Sequence, residues 1–71
     1  MAVPVSVRLG RRLASLREER GWNQAYLAEL AGVGRAHLSQ IENGSVAARI
    51  DTLEALASGL GITLSALFRN I

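Results

Sequence analysis

Apolar residues recur along this chain at helical spacing from Leu9 to Leu67. Leu9, Leu13 and Leu16 fall at i, i+4 and i+7, one stripe of a helix. Arg8, Arg11, Arg12, Glu18 and Glu19 lie mostly on its other faces. Ser6 is a candidate N-cap, and residues 1–5 before it read as a flexible arm. The stripe stops at Arg20, with Gly21 placed for the left-handed turn beyond a helix end. Trp22 then covers the core from the connection. Asn23 is an N-cap candidate for a second helix, Gln24 to Ala31, with Leu27, Ala28 and Ala31 inward. Gly32 ends it, and Val33 turns back toward the core. About two turns of helix are too few to stand without tertiary packing.

Gly34 opens a third helix, Arg35 to Asn43, anchored by Leu38 and Ile41. At about 100° per residue, Arg35, Ser39, Asn43, Ala36 and Gln40 share one arc of about 140° on the opposite side, with His37 at its border. Asn43-Gly44 closes this helix. Ser45 to Ala48 form a loop. A fourth helix runs from about Ile50 to Leu60, with Leu53, Leu56, Ala57 and Leu60 inward and Asp51 favourably placed at its N-terminus. Gly61 ends it and Ile62 returns to the core. Thr63 caps a last short helix, Leu64 to about Arg69.

The pattern therefore predicts an all-α fold, a compact five-helix bundle, as a single domain over residues 1–71. Composition agrees. Hydrophobic residues make up 49% of the chain, and Leu and Ala, strong helix formers, dominate them. A single core is marginal at this size, so burial has to be efficient. Surplus apolar surface goes either to a dense core or to an oligomer interface.

Charge adds less. The net charge is only +2, and a bias that small is weak evidence for any partner. All eight basic residues are Arg, which stays charged and forks onto phosphates or guanine edges. There is no Cys, so no disulfide and no thiolate metal site is expected. His37 is alone, and no metal or other cofactor is expected. Glu18, Glu19, Glu29 and Glu54 show no paired acid/base geometry, so an enzyme is not expected. No apolar run reaches the roughly 18 residues of a membrane span. The order of charge and apolar residues at the N-terminus is the reverse of a signal peptide, and a cytoplasmic protein is expected.

The second and third helices carry the specific signal. Two helices meeting near a right angle need a small residue at their contact, which Ala28 supplies. The turn needs a residue tolerating positive φ, which Gly32 supplies. Leu27, Val33, Leu38 and Ile41 pack the angle from inside, which is the helix-turn-helix arrangement.

The stretches RLASLREERGWNQAYLAELAGV, LSQIENG and DTLEALASGLGI resemble the lambda-repressor-like, Cro/CI-type (XRE) helix-turn-helix domains. The resemblance spans Leu9 to Phe68. It implies a DNA-binding domain whose third helix enters the major groove. By that likeness Arg35, Ala36, Ser39 and Gln40 read bases. Gln24 contacts phosphate and braces the reading helix, and Asn43 contacts phosphate at that helix's end. Arg17 and Glu42 match an ion pair tying the first helix to the third. Asn23, His37 and Arg49 complete the expected phosphate contacts. Physics agrees: Arg35 can fork onto guanine O6 and N7, Gln40 can pair with adenine, and Ala36 offers a methyl to thymine. The chain departs from the likeness at Gly34, where Ser or Thr is usual. Its loop Gly44–Arg49 is also apolar and holds only Arg49 as a cation.

Each residue also has a plainer reading. The arc on the third helix taken alone could be a solvated face, and Arg35 an ordinary surface arginine. Arg8, Arg11, Arg12 and Arg20 are most simply solubilising charge, one or two of them near the DNA side. The C-terminal segment 64–71 is rich in large apolar residues, and Leu64, Phe68 and Ile71 are candidates for a two-fold dimer contact. The expected function is sequence-specific double-stranded DNA binding by a homodimeric prokaryotic or phage transcriptional regulator on an inverted-repeat operator. With little chain beyond the domain, no small-molecule ligand is expected. The alternative is an antitoxin or adaptor that uses the same fold to bind protein.

Overall fold

The computed structural model describes residues 3–71. These form five helices in chain order, α1 (Val5–Glu19), α2 (Gln24–Ala31), α3 (Arg35–Asn43), α4 (Ile50–Gly59) and α5 (Leu64–Leu67), and no strand among the described residues. The expected bundle is present. α1 packs against α3 and α5, α2 against α3 and α4, and α4 against α5.

The core is the set of apolar positions that share helical faces. Leu9, Leu13 and Leu16 of α1, Leu27 and Ala28 of α2, and Leu38 and Ile41 of α3 are buried together. Leu53, Leu56, Ala57, Leu60 and Leu67 complete it from α4 and α5. Trp22, Val33 and Ile62, each just past a helix end, pack against this cluster.

The helix ends explain that placement. Trp22, Val33, Ser45 and Ile62 each return a backbone N–H to a carbonyl five residues back, on Arg17, Ala28, Gln40 and Ala57. Each preceding residue is a glycine of positive φ that bonds three residues back, completing a Schellman closure. Three of the four closures aim an apolar side chain inward. At the α2–α3 turn this is a requirement, since Gly32 has φ 69° and is followed at once by the entry to α3.

Two helix ends differ from the sequence reading, the start of α1 and the end of α5. α1 begins at Val5, inside the expected arm; Met1 and Ala2 lie outside the described residues. Pro4, not Ser6, is the N-cap, because its φ of −54° already suits helix entry and its carbonyl accepts from Val7 and Arg8. α5 ends at Leu67 rather than near Arg69. Thr63 Oγ1 caps it as expected, accepting from Ala66 N at 3.0 Å.

The C-terminal segment is also more deeply packed than its composition suggests. Leu67 is fully buried, and Leu64 and Phe68 are half-buried against the core. The exposed large apolar side chains are instead Val3, Val5, Tyr26, Leu30 and Ile50. The apolar loop after α3 has the same cause, since Val46 and Ala48 turn inward onto the core.

Candidate nucleic-acid interface

α3 presents one side to the core and the other to solvent. Leu38 and Ile41 are buried, whereas Arg35, Ala36, His37, Gln40 and Asn43 are exposed and Ser39 is half-buried. Among the described residues, the side chains of Arg35, His37, Ser39, Gln40 and Asn43 make no hydrogen bond within the chain, leaving their donors and acceptors uncommitted. Gly34 is the N-cap of α3 and supplies no side-chain bond to its free N–H groups.

Behind this face the polar side chains are committed. The Glu42 carboxylate is only 4% exposed. It accepts from Arg17 Nε at 2.8 Å and Nη2 at 2.9 Å, a two-point fork. Gln24 Nε2 donates to the same carboxylate at 2.9 Å. The other guanidinium nitrogen of Arg17 donates to the Trp22 carbonyl at 2.7 Å. One carboxylate on α3 thus ties α1, the α1–α2 connection and the first residue of α2. The hydrogen bond to Glu42 holds the Arg17 guanidinium above the ordinary arginine value, outweighing the opposing effect of desolvation. The pair expected between Arg17 and Glu42 is therefore present and enclosed.

The bond also orients Gln24. A carboxylate only accepts, so the amide nitrogen must face Glu42. One N–H of that nitrogen is then used and the second is left for an outside acceptor. Asn23 has a related division of labour, with Oδ1 capping α2 by accepting from Tyr26 N at 2.8 Å. Arg17, Asn23, Gln24, Ala25 and Arg35 line a depression of about 400 Å³ where the start of α2 meets the start of α3. Free N–H groups and the helix dipole favour an anion at such a helix start. Arg49 is exposed at the entry to α4, in the loop that follows α3.

The helix-turn-helix family profile matches residues 13–67, a span that contains α2, its turn and α3.

The chain belongs to the helix-turn-helix family.

This helix-turn-helix domain is 41% identical over 59 residues to the immunity repressor protein of Bacillus phage phi105, covering 83% of the chain and 41% of the repressor. It is 38% identical over 68 residues to the control protein C.MunI of a Mycoplasma species, covering 94% of the chain and 92% of that protein. Its fold is similar to the crystal structure of the restriction-modification controller protein C.AhdI from Aeromonas hydrophila. That match has a TM-score of 0.86 and 33% identity, and covers 89% of this chain and 96% of the other. The chain thus spans less than half the phage repressor but nearly all of C.MunI.

Three arginines of the helix-turn-helix domain have roles that the sequence did not disclose. Arg12 donates to the carbonyls of Ala66 at 3.0 Å and Leu67 at 3.4 Å, at the end of α5. Arg20 donates to the Leu60 carbonyl at 3.0 Å, at the end of α4, and its guanidinium lies 5.8 Å from the Trp22 ring centre. Arg8 donates to the carbonyls of Val3 and Ile71. These are clamps on helix ends and on the segments flanking the bundle rather than simple solubilising charge. A cation at a helix C-terminus was a usable signal, but its partner lies 40 or more residues away. Arg11, Arg35, Arg49 and Arg69 remain exposed. No helix among the described residues is long and apolar enough to cross a membrane.

Proposed function

We propose that this domain is a transcriptional regulator that inserts α3 into the major groove of double-stranded DNA and reads bases with Arg35, Ala36, Ser39 and Gln40. The observation carrying this reading is the division of α3. Its inner side is buried and locked through Glu42, while its outer arc offers unpaired donors and acceptors. A groove-reading helix needs both properties, because base-edge hydrogen bonds require a fixed frame and free partners.

Gln24, with its remaining N–H, and the start of α2 hold one phosphate beside the reading helix. Asn23, His37, Asn43 and Arg49 supply further backbone contacts. The matches to the control protein C.MunI and to the restriction-modification controller protein C.AhdI support a regulatory role for this domain. A homodimer on an inverted repeat places two α3 helices one helical turn apart, about 34 Å. Leu64, Phe68 and Ile71 are the proposed contact. A depression of about 650 Å³ is lined by Leu64 together with Ile62, Asp51 and Glu54.

Selection of bound duplexes from a random pool tests this reading. The expected result is a palindromic consensus, with Arg35→Ala relaxing one position and weakening the selected site by about 1–3 kcal/mol. No enrichment would refute base reading and favour the protein-binding alternative.

A further inference from the structure

Gly10 lies in the middle of α1 and is buried. Glycine disfavours a helix interior relative to alanine, so its presence there needs a packing reason. A Cβ built on Gly10 would lie 2.4 Å from the Ile41 carbonyl oxygen, 2.5 Å from that of Glu42 and 2.9 Å from the Glu42 carbonyl carbon. These are backbone atoms of the last turn of α3, which cannot rotate aside.

A second contact repeats the arrangement in reverse. A Cβ on Gly44, just past α3, would lie 2.8 Å from both Cα and Cγ2 of Val7. Val7, Gly10, Ala14 and Arg17 follow one another at intervals of three, four and three, so they form one stripe of α1. Val7 meets Gly44, Gly10 meets the carbonyls of Ile41 and Glu42, and Arg17 meets the Glu42 carboxylate. The C-terminal half of α3 is thus seated on α1 by three contacts in line, the central one between backbones.

We infer that Gly10 is a specificity-determining residue, which acts by letting the end of α3 rest on the α1 backbone and so sets the depth and tilt of the reading face. The inference rests on the proposal that this face reads bases. Moving a Cβ from 2.4 Å to the ordinary contact distance of 3.4 Å displaces the last turn of α3 by roughly 1 Å. Over a nine-residue helix about 13 Å long, held at its other end by the turn from α2, that is a tilt of about 4°. A recognition constellation tolerates about 0.5 Å. Phosphate contacts through long flexible side chains tolerate more. Gly10 substitution should therefore separate specific from general affinity.

The test compares wild type, Gly10→Ala and Leu53→Val. The last lowers stability from α4, whose packing partners are α2 and α5. Each is measured on the selected duplex and on a scrambled duplex at one salt concentration, below its unfolding temperature. Gly10→Ala should lower the ratio of the two affinities about tenfold or more, with scrambled-duplex affinity changed less than threefold. Leu53→Val should leave the ratio unchanged. Residual dipolar couplings of the α3 amides should show α3 turned against α4 in Gly10→Ala alone.

Should Gly10→Ala fail to fold, Val7→Ala loosens the same seat without a clash, and a threefold or larger fall in the ratio is expected. An unchanged ratio in the folded Gly10 variant, or in Val7→Ala if that variant is needed, would overturn the inference while leaving base reading intact. A wild type that selects no consensus would instead overturn base reading, and this inference with it.

Discussion

The Glu42 carboxylate is the point where three segments meet, and Glu42→Ala should expose its worth. The side chain is 4% exposed and accepts three hydrogen bonds, two from Arg17 and one from Gln24. The Arg17 side chain is only 11% exposed with Glu42 in place, and truncation leaves its guanidinium the Trp22 carbonyl as main partner. Removing one member of a buried pair costs about 3–5 kcal/mol, because the other charge is left uncompensated. Here some water reaches Arg17, and the Glu18 carboxylate lies 3.9 Å from it. The low end, about 3 kcal/mol, is therefore expected. A chain of this size has about 4–10 kcal/mol in all, so the variant folds but only narrowly. With a urea slope of about 1 kcal/mol/M, the midpoint should fall by about 3 M. Trp22 is the sole tryptophan and packs edge-on against Tyr26 at 5.0 Å, so its fluorescence reports the transition. Replacing both members, Arg17→Met with Glu42→Leu, should recover much of the loss, since no charge is then left unpaired. A midpoint fall below about 1 M would show the pair behaving like an exposed one, worth about 0–1 kcal/mol, and would refute the enclosed anchor. pH gives a further check. The raised Arg17 value means its contribution is complete below the ordinary arginine value and is lost only as pH rises through the raised one. On the arginine side, stability should therefore be flat through the neutral range.

Other substitutions probe separate parts of the argument. Gly34→Ser should raise stability by a few tenths of a kcal/mol in thermal unfolding. Its φ of −63° suits any residue, its Cβ meets nothing within 4 Å, and the hydroxyl would cap α3; a lower Tm would contradict this. Gln24→Ala should weaken selected and scrambled duplexes alike in a binding titration, and a loss confined to the selected duplex would assign Gln24 to base reading. Arg12→Met should cost about 1 kcal/mol and raise amide exchange in the residues around α5 first; unchanged exchange there would mean the contacts at Ala66 and Leu67 contribute nothing. Phe68→Asp should give a monomer in sedimentation equilibrium, and a persistent dimer would place the interface elsewhere.

Much of the fold was legible because its signals are local. Helical spacing identified the buried leucines from Leu9 to Leu60 and Ile41, since a residue's side of a helix follows from its position in the sequence. Asn23, Gly32, Gly44 and Thr63 marked helix ends through chemistry that acts within a few residues. Ser6 misled because a hydroxyl is one way to start a helix, while Pro4 does it through a preset φ. The exposed arc of α3 was legible too, as the complement of its buried side.

What tertiary structure decided is the set of contacts between residues far apart in the chain. Arg8, Arg12 and Arg20 look like surface charge until the ends of α4 and α5 are folded beside them. Gln24 and Arg17 gain defined orientations only when Glu42 arrives from α3. Gly10 drew no attention in the sequence, and its meaning depends on which backbone crosses it. Sequence by itself determined the inward faces of the first four helices and where those helices stop, because those follow from periodicity and short-range hydrogen bonds. Only the packed chain determined how firmly, and at what angle, α3 is presented, because that follows from backbone approach and from charges that meet across the core.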